Sequence, residues 1–258
     1  MKQIALVTGA SSGLGKEFVR LLSREQDVQE IWLVARSREK LEAMAKQSGG
    51  RCRAVPLDLS VHENIMKLGK MLKAEQVSIR YLVNNAGYGK FGAYSDLSAE
   101  QSRSMIDLNI SAVVELCVVC LPFMHRGGHI LNIASLASTT PLPYLNIYAA
   151  TKAFVRNYSR ALNIELKPRG ISVTAVCPGW MDTGFIANAQ TGAKKSPTVF
   201  AAITSPDVVA EKALRDAKNG KELSVYGFFP KLTYAAAKFL PQQFMMRSWL
   251  LMQNMKTR

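Results

Sequence analysis

The chain has 258 residues, 48% of them apolar and 20% charged, which suits one well-buried core and excludes a disordered or low-complexity protein. Its net charge of +14 comes from dispersed Lys and Arg with no helix-turn-helix or zinc-finger pattern, so an anionic cofactor is expected and nucleic acid is not. Four Cys and three His without ligand spacing exclude a disulfide scaffold and leave a metal site unsupported.

The chain opens on an apolar run, Lys2 to Thr8, rich in strand formers and too short for a signal peptide. It leads into Thr8-Gly9-Ala10-Ser11-Ser12-Gly13-Leu14-Gly15, after which Phe18, Val19, Leu21 and Leu22 recur at helical spacing. A strand, a glycine turn and a helix start are what a pyrophosphate needs, because bare backbone N–H groups and the helix dipole face its charge. Ile31–Ala35 reads as a second strand ending in Arg36-Ser37-Arg38, before a helix containing Leu41, Met44 and Ala45. An acidic residue at this strand end would bind ribose hydroxyls, whereas arginine suits a 2′-phosphate. Here Ala35 stands in the acidic position and Arg36 follows it, so NADP(H) is expected, with Ser11, Ser12 or Arg38 assisting.

Cys52–Leu57 is a third strand running into Asp58-Leu59, and helix follows from Val61 to Glu75. Asp58 either lines an adenine pocket or belongs to that helix start, where Ser60 is a candidate cap. Arg80–Val83 is the fourth strand, ending in Asn84-Asn85-Ala86-Gly87. Ser98–Met124 reads as one long helix with Asn109 near its middle, an intrinsically unfavourable place for asparagine. Cys117 and Cys120 lie within that helix as packing thiols rather than in a reactive turn. His129–Ala134 is the fifth strand and stops at Ser135; Ile171–Cys177 is the sixth, followed by Pro178-Gly179-Trp180-Met181-Asp182-Thr183.

Between them stands Tyr148-Ala149-Ala150-Thr151-Lys152. Residues four apart share a helix face, so the Lys152 ammonium can stand near the Tyr148 phenol. A phenol has an ordinary pKa of about 10, and a neighbouring positive charge is expected to lower it toward the working pH. Ser135 would orient a carbonyl oxygen beside it.

The glycine loop T-G-x-x-x-G-x-G, the Asp58-Leu59 pair, the N-N-A-G turn, Asn109, and the set Ser135, Tyr148 and Lys152 occur in that order. Together they resemble the short-chain dehydrogenase/reductase family. The resemblance implies an α/β fold: one Rossmann-like, doubly wound domain over 1–258, with a seven-stranded, mostly parallel sheet of order 3-2-1-4-5-6-7 and helices on both faces. It implies hydride transfer between NADP(H) and a carbonyl or secondary alcohol, with Asn109, Ser135, Tyr148 and Lys152 as the catalytic set and Asn109 holding a water that relays protons to Lys152. Cofactor contacts would come from Gly9, Ser11, Ser12, Gly13, Leu14, Gly15, Arg36, Asp58, Leu59, Asn85, Ala86, Gly87, Tyr148, Lys152, Pro178, Gly179 and Thr183. Trp180 and Met181 depart from the smaller apolar residues usual there. The alternative is a cofactor-binding regulatory relative with little catalysis.

The mixed segment 184–205 is expected to be a substrate lid over a largely apolar pocket. Asp207–Lys218 reads as a helix and Leu223–Tyr226 as a seventh, edge strand. The remaining 228–258 forms a basic, aromatic-rich amphipathic extension. Three occupants are open for it: an anionic membrane, a partner subunit, or the substrate pocket. No run of about 18 uninterrupted apolar residues occurs, so no membrane-spanning helix is expected, and the chain is read as a cytoplasmic homodimer or homotetramer acting on a small-molecule carbonyl or alcohol.

Overall fold

The computed structural model describes residues 1–255; the last three positions of the 228–258 extension lie outside them. The backbone is built on seven strands, β1 (Gln3–Thr8), β2 (Glu30–Ala35), β3 (Cys52–Pro56), β4 (Ser78–Asn84), β5 (Met124–Ile133), β6 (Ser172–Val176) and β7 (Leu223–Ser224). They form one sheet of order β3-β2-β1-β4-β5-β6-β7, the order read from the sequence resemblance, and every pairing is parallel rather than only most of them. Parallel strands need both faces covered, which is why their sequences are near-continuous apolar runs such as Ile4-Ala5-Leu6-Val7.

The two-residue period of a strand sorts these side chains. Ile4 and Leu6 point into one core with α3 (His62–Ala74), α5 (Ala112–Cys120) and α6 (Asn146–Leu166). Ala5 and Val7 point into the other, with α1 (Gly13–Leu22), α2 (Arg38–Gln47) and α8 (Pro206–Lys218).

The long helix expected over Ser98–Met124 is broken. Ser98 and Gln101 cap α4 (Ala99–Ile106) reciprocally, a π-helical turn spans Asp107–Ser111, α5 follows, and Leu121–Phe123 tightens to a 3-10 turn at Pro122. Strand β5 consequently starts at Met124, earlier than expected, and its ladder with β4 skips between Met124 and His129, where Gly127 takes a φ of 86°. The seventh strand is shorter than expected, two residues only. The helical run Ala99–Phe123 is long and apolar enough, by length and composition, to cross a membrane, although Asp107 and Glu115 interrupt its apolar stretch. In the fold its apolar side, including Ala112, Leu116, Cys117 and Cys120, packs on the sheet, and its Glu115 pairs with His62 at 2.9 Å. All four cysteines are free and buried; burial pushes the Cys117 thiol up to about 12, as expected of a packing thiol.

At the far edge of the sheet, buried Asp216 of α8 bonds Lys212 at 2.5 Å and Lys221 at 3.0 Å. Burial alone would raise its pKa, but Lys212, Ser224 and Lys221 outweigh that and hold the carboxyl below its ordinary value. The charged form is therefore favoured by folding: the contribution is complete above the ordinary carboxylate range and is lost as pH falls through the lowered folded value. Asp216→Asn should cost about 3 kcal/mol, the lower end for a broken buried pair because Lys221 is half-exposed, and should flatten the acid limb of a melting-temperature profile measured by circular dichroism.

Candidate active site

The strand order reverses between β1 and β4, and the crevice beyond their carboxyl ends is where an open α/β sheet takes a ligand. Its rim is cross-linked. Thr8 Oγ1 accepts from the N–H groups of Asn85 and Ala86, each at 2.9 Å, and Asn85 Nδ2 donates back to the carbonyls of Thr8 and Gly9 at 3.0 and 3.2 Å. This approach demands glycine. A Cβ on Gly15 would lie 2.2 Å from the Gly9 carbonyl oxygen, and one on Gly9, whose φ is +62°, would lie 2.7 Å from Asn85 Nδ2. Helix α1 then starts at Gly13 with no side-chain cap on Ser12, leaving its first N–H groups aimed into the crevice.

A cavity of about 1030 Å³ extends from this loop to the carboxyl-terminal helices. Of the residues expected to hold cofactor, Gly9, Ser11, Ser12, Gly13, Leu14, Arg36, Asn85, Ala86, Gly87, Tyr148, Lys152, Pro178, Gly179 and Thr183 line it. Gly15 does not; it serves the loop's packing instead. Asp58 and Leu59 also lie off the lining. Asp58 Oδ1 accepts from Ser60 N at 3.0 Å and Ser60 Oγ at 2.7 Å, a turn ahead of α3 whose N-cap, Val61, has no side-chain cap, so Ser60 does not cap that helix; Leu59 is buried in the core. Burial would raise the Asp58 pKa, but Ser60 and nearby Arg36 leave it lowered. Arg38, read as an assisting cation, faces Glu42 at 3.5 Å and does not line the cavity. Beside Arg36 the lining carries Lys40, two residues on from Arg38 in the first turn of α2; the sequence reading missed it because Arg36 precedes the helix and no helical spacing links the two.

At the other wall, α6 carries Tyr148 and Lys152 on its buried side, as their spacing requires, and Ser135 follows β5 in extended conformation. Lys152 Nζ donates to the Ile133 carbonyl at 2.7 Å and stands 5.9 Å from the Tyr148 ring centroid. Ser135 Oγ accepts from Ala137 N at 3.1 Å and lies close enough to the Tyr148 phenol to act on its pKa. Asn109, inside the π-helical turn, is fully buried and off the lining. Its Oδ1 accepts from Tyr88 N at 3.1 Å, and its Nδ2 donates to Tyr88 O at 2.9 Å and Thr151 Oγ1 at 3.1 Å. Asn109 thus braces the Gly87-Tyr88 turn against α6, and bonds neither Lys152 nor Tyr148 directly.

The electrostatics depart from the expected lowering of the tyrosine. Burial dominates: it pushes Tyr148 up to about 12, against a pull downward from Ser135, and pushes Lys152 down to about 8. At neutral pH the pair is therefore a phenol that keeps its proton beside an ammonium.

An apolar wall closes over this pair. Phe185, in α7 (Phe185–Gln190), packs on Tyr148 with ring centroids 5.3 Å apart, and Trp180 meets Phe91 and Phe200 edge-on. The segment 184–205 is tied down by Lys90, whose Nζ donates to the carbonyls of Asn188 and Thr191.

The sequence profile of the family described as short chain dehydrogenase matches residues 3–194. A ketoacyl reductase, HetN, from a Nostoc species is 33% identical over 220 residues, which cover 83% of this chain and 75% of that one. A 3-ketodihydrosphingosine reductase from Bacteroides thetaiotaomicron is 34% identical over 188 residues, 72% of this chain and 66% of that one. A solved short-chain dehydrogenase from Sphingobium yanoikuyae in complex with NADPH is 28% identical and superposes with a TM-score of 0.77, covering 100% of this chain and 97% of that one. The chain belongs to the short-chain dehydrogenase family, and its Rossmann-like fold and oxidoreductase class follow from that membership.

Because the Gly15 clash is with backbone rather than a movable side-chain tip, Gly15→Ala should lower stability by about 1–3 kcal/mol and weaken dinucleotide binding. Thermal melting with and without added NADPH checks both.

Proposed function

We propose that the protein is an NADP(H)-dependent reductase of an apolar, acyl-type ketone, or the dehydrogenase of the matching secondary alcohol. The observation that carries this reading is the convergence of Ser135, Tyr148 and Lys152 on one wall of a cavity whose far end is a glycine-lined helix start. That end fits a dinucleotide phosphate: a Cβ would fill the cradle at Gly9 and Gly15, and neither Arg36 nor Lys40 is engaged in an ion pair among the described residues. Two unpaired cations favour the extra 2′-phosphate of NADP(H). The NADPH held by the Sphingobium relative supports the same choice.

When bound, the cofactor supplies the hydride. The protein's part is proton transfer and orientation. Tyr148, kept protonated by burial, donates to the carbonyl oxygen as negative charge develops there. Ser135 donates a second hydrogen bond to the same oxygen, its own Oγ being held in place by the Ala137 N–H. Lys152 retains its charge at neutral pH and steadies the phenolate left behind, while its bond to Ile133 fixes where that charge stands. Trp180, Phe185 and Leu142 on the lining suit an apolar substrate body, in keeping with the keto substrates in the relatives' names. A purely cofactor-sensing protein would have no use for these three polar groups together.

A screen of NADPH oxidation over 3-ketoacyl thioesters, long-chain keto amines, ketosteroids and aromatic ketones should return turnover for an apolar ketone. Silence across the screen, with NADPH bound, would favour the sensing alternative. Tyr148→Phe should lose about a hundred- to a thousandfold in kcat with unchanged NADPH affinity. Arg36→Ala should raise KM for NADPH about tenfold and leave that for NADH unmoved. The reductive rate should be level through neutral pH and decline above about 8, because Lys152 loses its proton there while Tyr148 keeps its own. A profile rising through that range would contradict the assignment of donor.

A further inference from the structure

The carboxyl-terminal extension folds as two helices, α9 (Phe228–Phe239) and α10 (Gln242–Met252), joined at Leu240-Pro241. Both turn apolar side chains away from the protein. On α9, Phe228, Leu232 and Phe239 follow one stripe at i, i+4 and i+11 and are 78%, 54% and 84% exposed. On α10, Phe244 and Leu251, one heptad apart, are 55% and 78% exposed. Four of the five exposed phenylalanines of the described chain lie on these two helices, so this is a patch rather than the usual scatter of surface apolar residues.

Charge decides what the patch suits. No Asp or Glu occurs from Leu223 to the end of the chain, whereas Lys231 and Lys238 flank the α9 stripe and Arg247 stands between Phe244 and Leu251, all exposed. A second copy of the chain, meeting this face across a two-fold axis, would bring the same cations together. An anionic bilayer satisfies both features at once, taking the aromatic side chains into the acyl boundary and the cations at its headgroups.

We propose that α9 and α10 dock the protein on an anionic lipid surface. The adjoining side of α10 connects that surface to the cavity. Met245, Ser248, Trp249 and Met252 line it, and Trp249 Nε1 donates to the Pro143 carbonyl at 3.1 Å. Buried Gln253, just after α10, accepts from the N–H groups of Thr198 and Val199 and donates to the Val199 carbonyl, each at 2.9 Å, and so holds the 184–205 segment. If the reductase reading above is right, a ketone dissolved in that bilayer lies one helix away from Tyr148.

The test is co-sedimentation of the full chain with phosphatidylcholine vesicles, with and without phosphatidylglycerol, in the absence of nucleotide and substrate. Binding is expected to the anionic vesicles only and should weaken as NaCl is raised. The exposed triples F228S/F239S/F244S and K231E/K238E/R247E should each lose about tenfold or more of it, with circular dichroism melts showing that both remain folded. The proposal is overturned if the parent stays in the supernatant with anionic vesicles, or if either folded triple sediments like the parent. It is overturned equally if the parent binds no lipid and the apolar triple instead lowers the oligomeric mass seen by light scattering, which would assign the face to a second copy. Tyr148→Phe should sediment normally, so loss of the lipid result and loss of the catalytic one are separately readable.

Discussion

The hydrogen bonds that tie the end of β1 to the end of β4 are the constraint on which the rest of the site depends. A parallel sheet whose strand order reverses must open a crevice at that point, and without a cross-link the two strand ends would be free loops. Thr8 receives two N–H groups from the Asn85-Ala86 turn, and Asn85 returns two bonds to the Thr8-Gly9 backbone. Four bonds between two strand ends leave little room, which is why glycine stands at positions 9 and 15. The glycine loop after β1 and the turn after β4 are thus one construction.

A second tier of buried polar groups sets the far wall. Asn84 Nδ2 donates to Asn132 Oδ1 at 2.8 Å, Asn132 Nδ2 to Ser159 Oγ at 2.9 Å, and Ser159 to the Val155 carbonyl at 2.6 Å, linking β4 through β5 to α6. One turn higher, Asn109 does the same between the Tyr88 turn and Thr151. Asn84 Oδ1 finds no partner among the described residues, but every other link is made, so any shift of α6 would strand several buried donors. Tyr148 and Lys152 inherit their positions from that rigidity. Their protonation follows from the same burial: desolvation lowers the lysine's pKa and raises the phenol's, against a downward pull from Ser135.

The carboxyl-terminal helices complete the enclosure from outside the sheet. Pro230 of α9 sits against Gly179, where a Cβ would meet its ring carbon at 3.2 Å, and Trp249 of α10 joins the cluster of Phe91, Leu145 and Tyr148. The inner sides of α9 and α10 are therefore explained by packing on the site, whereas their outer sides, rich in phenylalanine and without carboxylates, are not.

Much of the site was legible because its motifs obey local rules. A glycine loop after an apolar strand, tyrosine and lysine one helical turn apart, and a serine at a strand end each carry their geometry in their spacing, and the family resemblance these motifs carry implied the sheet order. What tertiary structure alone decided was which neighbours those residues meet. Lys40 rather than Arg38 lines the cavity, because the helix turns Arg38 toward Glu42. Asp58 spends its oxygen on Ser60, and Asn109 opens a π-helical turn in what periodicity read as one continuous helix. The protonation of the Tyr148 and Lys152 pair was likewise beyond the sequence, since spacing places a charge beside a phenol but only the packed fold removes the water that sets what that charge is worth.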